Sequence, residues 1–482
     1  MTLDLLKPIW VELFVFAGAL LVLFVDLFLS DKARKHLSML TALLLTTAFF
    51  LSTTLDGRGP IGLVYVGNAF SVLVKQLLLG CAFLCVLGGR EFVNRATPKK
   101  QGEFYFLLLL SLGGMMLLSG VRDLILLVVC FELMGVPLYI LATWFSEEAT
   151  PEKLQLAVQR GAESGLKFFL VGGSSTAVTL FGLSLLTGTA GGTHFDALLS
   201  APQSPLSVMG MLLVLGGMGF KIGAVPFHMW VPDTYQGAMT PVVAFLSVAP
   251  KAAGLVTLTV LAQKAIPGSL WKQAFVGLSV LTMVVGNVMA LPQRNVKRLL
   301  GYSGVAQIGY MLLGLCVGDA YSLGMLLFYL CGYAATNIGV FLVVHAVSDT
   351  EGDDSLEGFA GLAKRSPWLG MALLVFLLSL AGIPFVVGFW AKLYIFMAAF
   401  QAGFGGLVVV GAVLAVVGLF YYLQVARSAY MAPPKQAERV FVTPWLALTI
   451  VCCLLLVVGM GAYPGPWIET CQKAAESLLS GP

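Results

Sequence analysis

Five lysines and one glutamate stand where a charge is expensive. Lys75, Lys167, Lys221, Lys251, Lys392 and Glu132 each fall inside a long apolar run. A lysine at the centre of a bilayer costs about 2.5–3.5 kcal/mol on insertion scales, and such residues mark ion or proton pathways. A lysine near a helix end escapes by snorkelling; Lys221, Lys251 and Lys392 sit too deep for that, and Glu132 is placed equally deep. Burial favours a neutral amine and a nearby carboxylate favours the charged one. A row of such groups can therefore pass a proton, each transfer changing its neighbour's affinity. A pair that only holds helices together needs two charges, not five or six. Lys167 has Glu163 one turn earlier, at i, i+4 spacing. Lys75 has no partner near it in sequence and reads equally as a structural or snorkelling lysine and as a relay member. Glu12 and Asp26, near the ends of the first apolar run, read as a solvated boundary.

The elements that position these groups follow from composition. The chain has 482 residues, 59% apolar and 11% charged, where a soluble domain carries about 25% charge. So few charges cannot cover a soluble body of this size, which excludes a soluble enzyme, a nucleic-acid binder and a disordered scaffold. A crossing helix needs about 20 apolar residues. Fourteen runs qualify, near 9–30, 37–54, 66–89, 104–120, 123–145, 161–187, 207–231, 239–263, 273–292, 299–318, 322–347, 367–398, 404–426 and 442–463. None shows the alternation of a barrel strand. The expected fold is an all-α polytopic membrane protein. The start has no basic n-region and no small-residue cleavage site, so the first run reads as a retained span. The eight cysteines form no metal or disulfide pattern and read as small apolar filler.

Basic residues test the count. Of 28 Lys and Arg, 17 fall in loops after odd-numbered spans, Lys435 among them, and 6 on the other side; the remaining five are the intramembrane lysines. Such a bias puts the rich side in the cytoplasm and both termini outside.

Two spans carry a proline at mid-depth. The seventh reads GFKIGAVPFHMWVPD, with Pro226 five residues after Lys221; the twelfth reads LAGIPFVVGFWAKLYIF, with Pro384 eight residues before Lys392. Proline removes a backbone hydrogen bond and frees a carbonyl. Irregular backbone at that depth survives only beside protein or a water-filled cavity, and paired interruptions in two halves point to a transporter's site. The broken spans are five apart, so a repeated five-helix unit enters from the opposite side the second time. Spans 4–8 and 9–13 would form two inverted repeats, giving segments 1–102, 103–265, 266–430 and 431–482. His228, after the first break, is a relay candidate; His345 is a weaker one, and Tyr302, Gln307 and Tyr310 could hold waters. His36 and His194 lie in loops.

Gly216 to Gly254, GGMGFKIGAVPFHMWVPDTYQGAMTPVVAFLSVAPKAAG, resembles the signature of the antiporter-like subunits of respiratory complex I. The form PFHxWxPDxYxGAxTPVxAFLSxxPK resembles that of the subunit N (ND-two) family. CFELMGVPLYIL, NVKRLLGYSGVAQIGYMLLG and LSLAGIPFVVGFWAKLYIF support it, and the likeness spans nearly the whole chain. The resemblance implies one proton-translocating module of NADH–quinone oxidoreductase in a bacterial inner membrane. It implies a coupled pair at Glu132 and Lys221, a linking lysine at Lys251, an exit-side lysine at Lys392 and a helix-6 lysine at Lys167. It implies no cofactor in this chain: NADH, FMN, iron–sulfur clusters and quinone belong to partners, which are other membrane subunits, and the chain meets lipid, protons and ordered water but no nucleic acid. Lysine on span 12 separates the chain from subunit M, and the short C-terminus separates it from subunit L. Two positions depart from the pattern. Met239 replaces the proline of GAPTP and is expected to soften the start of span 8. Gln307 replaces a histidine and cannot titrate, so a proton step there needs water. Three rival readings exist. A cation/proton antiporter or membrane-bound hydrogenase subunit would use the same lysines. A structural scaffold would use the charges for assembly. A haem protein would need His228 and His345 as facing ligands.

Overall fold

The computed structural model of the chain describes residues 3–55, 57–145, 151–265, 269–434 and 438–480. Lys435 lies outside them. Short helices aside, the chain runs through α1 (Trp10–Phe28), α2 (Leu37–Thr54), α3 (Ala69–Ala96), α4 (Gln101–Leu117), α5 (Leu124–Thr143) and α6 (Pro151–Ala190). It continues through α7 (Pro205–Ile222), α8 (Trp230–Gly237), α9 (Thr240–Leu246), α10 (Ala249–Lys264), α11 (Ser269–Ala290) and α12 (Val296–Val317). It ends with α13 (Ala320–Glu351), α14 (Pro367–Ala381), α15 (Val387–Gln401), α16 (Gly405–Met431), α17 (Pro444–Ala462) and α18 (Gly465–Ser480). A two-stranded antiparallel hairpin pairs Gly59–Ile61 with Tyr65–Gly67.

Among the described residues, twelve helical stretches are long and apolar enough to cross a bilayer, α9 and α10 counting as one, where fourteen spans are expected. The other two expected spans fall on shorter helices. One is α4; the other is divided between α14 and α15 by the break at Pro384. Helices that are apolar on every side belong at the centre of a bundle. α10, α12 and α13 are such helices and are buried almost all round. α1, α2, α6 and α16 keep one face in the bundle and turn Phe24, Leu43, Phe169 and Val416 outward. Helix starts are fixed by side-chain caps: Asn68, Ser204 and Asp319 each form a reciprocal pair with the serine three residues on.

Three spans are broken, one more than expected. α7 ends at Gly223, whose φ of 74° is the left-handed conformation glycine adopts without strain. The polar groups released there find side chains: the Trp230 indole donates to the Phe220 carbonyl at 2.9 Å, and the Thr282 hydroxyl accepts from Val225 N–H at 3.1 Å. α14 ends at Gly382 (φ 86°) and α15 resumes at Val387. The unexpected break divides α9 from α10 at Ser247–Val248. The Tyr333 hydroxyl donates to the Ser247 carbonyl at 3.3 Å, and Asn337 Nδ2 donates to the Ser247 hydroxyl at 2.7 Å. The start of span 8 is not softened by Met239: Val243 N–H donates to the Met239 carbonyl at 3.0 Å, and Pro241 sits in the first turn of α9, where its missing N–H costs nothing.

Candidate functional site

Each of the three deep lysines emerges beside a broken helix. Lys221 is the penultimate residue of α7 and is 7% exposed. Its Nζ lies 4.0 Å from Glu132 Oε1 and donates to the Tyr139 hydroxyl at 3.3 Å. The rings of Phe131, Tyr139 and Phe220 lie 5.7–5.8 Å from the ammonium and offer it cation–π contacts. The Thr176 hydroxyl donates to Glu132 Oε1 at 2.8 Å. Glu132 is the ninth of the twenty residues of α5, and its side chain is 37% exposed against 7% for Lys221. The pair is therefore loose and one-sided, not a closed buried salt bridge.

Lys251 lies in the first turn of α10, one turn past the second break. It is 1% exposed, and its Nζ has no hydrogen-bond partner among the described residues. A Cβ on Gly304 would stand 2.8 Å from that Nζ and 3.0 Å from the Tyr333 hydroxyl, so only glycine leaves the amine room. The Tyr235 ring lies 5.3 Å from it. A buried amine with no partner calls for water or a transferable proton.

Lys392 uses the carbonyls that the third break releases. Its Nζ donates to Leu380 O at 2.8 Å and Ala381 O at 3.1 Å, beneath the Tyr310 ring at 4.9 Å. Gln307 Nε2 donates to the same Leu380 carbonyl at 2.9 Å and to the Tyr422 hydroxyl at 3.1 Å. The Tyr329 hydroxyl donates to Gln307 Oε1 at 2.5 Å, and Ser303 and Tyr422 share a hydrogen bond of 2.5 Å. Ser303 neighbours Gly304. Polar groups thus run from Lys251 past Tyr333 and Ser303 to Tyr422, Gln307 and Lys392.

Lys167 is not deep. Its side chain is 47% exposed and pairs with Glu163 at 2.7 Å and Asp233 at 3.3 Å. It lines a polar cavity of about 440 Å³ with Arg160, Asp233, Arg298 and Asp354. Asp233 also accepts from Arg298 at 2.5 Å. Phe168, next in the chain to Lys167, stacks on Trp230 at 4.4 Å and meets Tyr139 edge-on at 4.8 Å. The void these rings share with Lys221 is about 10 Å³, at the lower limit for one water.

The histidines and Lys75 separate from this axis. His228 is half-buried, with the Tyr302 ring 6.2 Å away; Tyr302 in turn carries the Arg298 guanidinium at 5.9 Å. His345 is buried against Phe92 at 4.8 Å and sits among the charges of Arg95, Lys297, Asp349 and Asp354. Lys75 neither snorkels nor stands alone. It forms a closed ion pair with Glu12 at 2.8 Å, the two side chains 2% and 0% exposed, and donates to the Pro8 carbonyl at 2.7 Å. Glu12 is therefore not a solvated boundary residue; the Tyr65 hydroxyl also donates to it, at 3.2 Å. Asp26 is likewise buried and pairs with Arg34 at 3.0 Å.

Sequence reasoning missed Tyr139, Thr176, Tyr333, Asn337 and Tyr422. Two of them left a signal. Tyr139 stands seven residues after Glu132, two turns along the same helix face. Asn337 is an amide at the middle of a largely apolar span.

Comparison with known proteins places this arrangement. The family described as NADH:quinone oxidoreductase/Mrp antiporter, TM, matches residues 121–418. NADH-quinone oxidoreductase subunit N of Heliobacterium modesticaldum is 39% identical over 420 residues, 86% of this chain and 87% of that one. NAD(P)H-quinone oxidoreductase subunit 2 of a Synechococcus species is 38% identical over 489 residues, 97% and 91%. A chain of respiratory complex I from Thermus thermophilus superposes with a TM-score of 0.79 at 32% identity, covering 95% of this chain and 98% of that one. A chain of the Mrp complex from Dietzia shares the fold, with a TM-score of 0.87 at 21% identity, covering 100% and 98%. The chain belongs to the NADH:quinone oxidoreductase/Mrp antiporter membrane family, among the proton-translocating N subunits of NADH-quinone oxidoreductase.

Proposed function

We propose that protons move along Glu132, Lys221, Lys251, Gln307 and Lys392. Lys167 and Asp233 gather them at the polar cavity, and Phe168 and Trp230 gate their access to Lys221. The observation that carries the reading is that each deep lysine stands at a helix break and none is locked by a close carboxylate among the described residues. A locked pair holds its charge; a loose pair, a bare amine and an amine on carbonyls can each change charge as a neighbour does. A dry aromatic constriction opposes hydration, and hence proton passage, until the rings part.

In this reading residues 103–265 and 266–430 are two inverted units, Lys251 joins them, and Lys392 delivers the proton to the exit side. His228 and Tyr302 line the approach to the first break. His345 serves the basic end of the bundle, and Lys75 anchors the N-terminal helices. The chain itself holds no redox centre; NADH, FMN, iron–sulfur clusters and quinone lie in neighbouring subunits, and quinone reduction drives the track by long-range electrostatics. The basic loops face the cytoplasm of a bacterial cell and both termini face out. Support comes from the 17-to-6 division of basic residues and from the names of the relatives.

Inverted membrane vesicles test this. Glu132→Ala and Lys221→Ala are expected to lower NADH-driven acidification and coupled quinone reduction while the complex still assembles. Wild-type acidification in both variants removes these residues from the track.

A further inference from the structure

A groove lies on the outer face of the bundle between α14 and α16, with a volume of about 510 Å³. Leu374, Phe420, Leu423 and Ala426 make its apolar lining. Ala426 is buried and small, which forms the floor; Phe420 and Leu423 are exposed rims. One turn before its end at Met431 the groove carries Arg427, which is exposed and has no ion pair among the described residues. Gln424, one turn below, has its Oε1 shut off from solvent with no hydrogen-bond partner. Tyr430, at the mouth, is of the type enriched where the bilayer meets water.

Length and polarity together define an occupant. From Phe420 to Met431 the lining covers twelve residues of helix, a rise of roughly 16 Å at 1.5 Å per residue. One leaflet of the hydrocarbon core is about 15 Å thick, half of 30 Å. The groove therefore runs the depth of a single leaflet, with its cation in the half nearer water. Only Oε1 of Gln424 is shut off, so its N–H groups are the part of the amide left open to the groove, one turn below Arg427, at the depth of glycerol ester carbonyls. A helix from another protein would satisfy the apolar lining but would leave both polar groups at its edge without matching acceptors.

We propose that this groove is a binding site for one anionic glycerophospholipid of the phosphatidylglycerol type. An acyl chain lies over Ala426, an ester carbonyl accepts from Gln424, and the phosphate faces Arg427. The lipid belongs to the leaflet on the side of the basic loops.

The test uses the whole complex, purified in mild detergent and placed in phosphatidylcholine vesicles with a trace of phosphatidylglycerol carrying a diazirine on its acyl chain. Photolysis is expected to label Leu374, Phe420 or Leu423. Unlabelled phosphatidylglycerol should compete about fivefold better than phosphatidylcholine, since one basic residue near a membrane surface contributes about a factor of five toward an anionic lipid. Arg427→Gln should abolish that preference and Arg427→Lys should keep it, both with wild-type subunit composition and quinone reductase activity. Equal competition by the two lipids, a preference that survives Arg427→Gln or is lost in Arg427→Lys, or absence of label because another subunit covers the groove, each overturns the proposal.

Discussion

Lys392 and Gln307 meet at one oxygen. Both donate to the Leu380 carbonyl, at 2.8 and 2.9 Å, because the break after Ala381 leaves that carbonyl without its helical donor. The glutamine that stands where the family resemblance leads one to expect a histidine is thus held in place by the lysine's own acceptor. Its two other partners, Tyr422 and Tyr329, tie it to the central helices. Gln307 cannot carry charge, but it can hold the hydroxyls between which a proton on water would pass.

Gln307→Leu is expected to leave the Tyr329 and Tyr422 hydroxyls buried without their partner, at a cost of about 1–3 kcal/mol. Pumping should fall further than assembly. Acidification by vesicles, normalised to complex content, checks this; unchanged pumping would remove Gln307 from the path.

Lys251 distinguishes transport from scaffolding. A buried amine without a partner costs stability, so Lys251→Met, similar in size and uncharged, should assemble at wild-type levels with an equal or higher unfolding temperature. If the charges serve assembly, the same variant loses complex content. Native gel electrophoresis and a thermal melt of the purified complex separate the two.

The ion pair of Glu12 and Lys75 behaves oppositely. Removing one partner of a buried pair costs about 3–5 kcal/mol, because the other charge stays buried and uncompensated. Lys75→Met should therefore cut complex content sharply, and Glu12→Gln with Lys75→Met should restore much of it. Whatever assembles should pump normally per complex. A double-mutant cycle on thermal stability reads the coupling; additivity of the two substitutions contradicts the pair.

Asp233 holds Lys167 and Arg298 at the mouth of the polar cavity, and all three side chains are partly exposed. Pairs of this kind contribute about 0–1 kcal/mol. Asp233→Asn should leave the unfolding temperature within a few degrees of wild type while slowing proton uptake, with the greatest effect at high external pH, where protons are scarce. A rate unchanged across pH removes Asp233 from uptake.

The sequence made the expensive charges legible because lipid makes them conspicuous: Lys221, Lys251 and Lys392 are visible against apolar surroundings. The breaks at Pro226 and Pro384 were legible because proline lacks an N–H. The break at Ser247–Val248 was not, since Pro250 sits in the first turn of the following helix, where proline is also at home. The partner of Lys75 was hidden for another reason. Glu12 lies 63 residues away in the chain, and only the packing of α1, α3 and the Tyr65 hairpin brings the two together. Tyr422 was hidden because a phenol shows its use only once its hydroxyl's neighbour is known.

The claim that one continuous track joins both halves rests on Lys251, the buried amine between Lys221 and the Gln307–Lys392 cluster. Its most direct test is the number of protons moved per NADH oxidised by the purified complex in sealed liposomes carrying Lys251→Met. A shared track requires a ratio below wild type at normal subunit composition. A wild-type ratio in that variant would contradict the account.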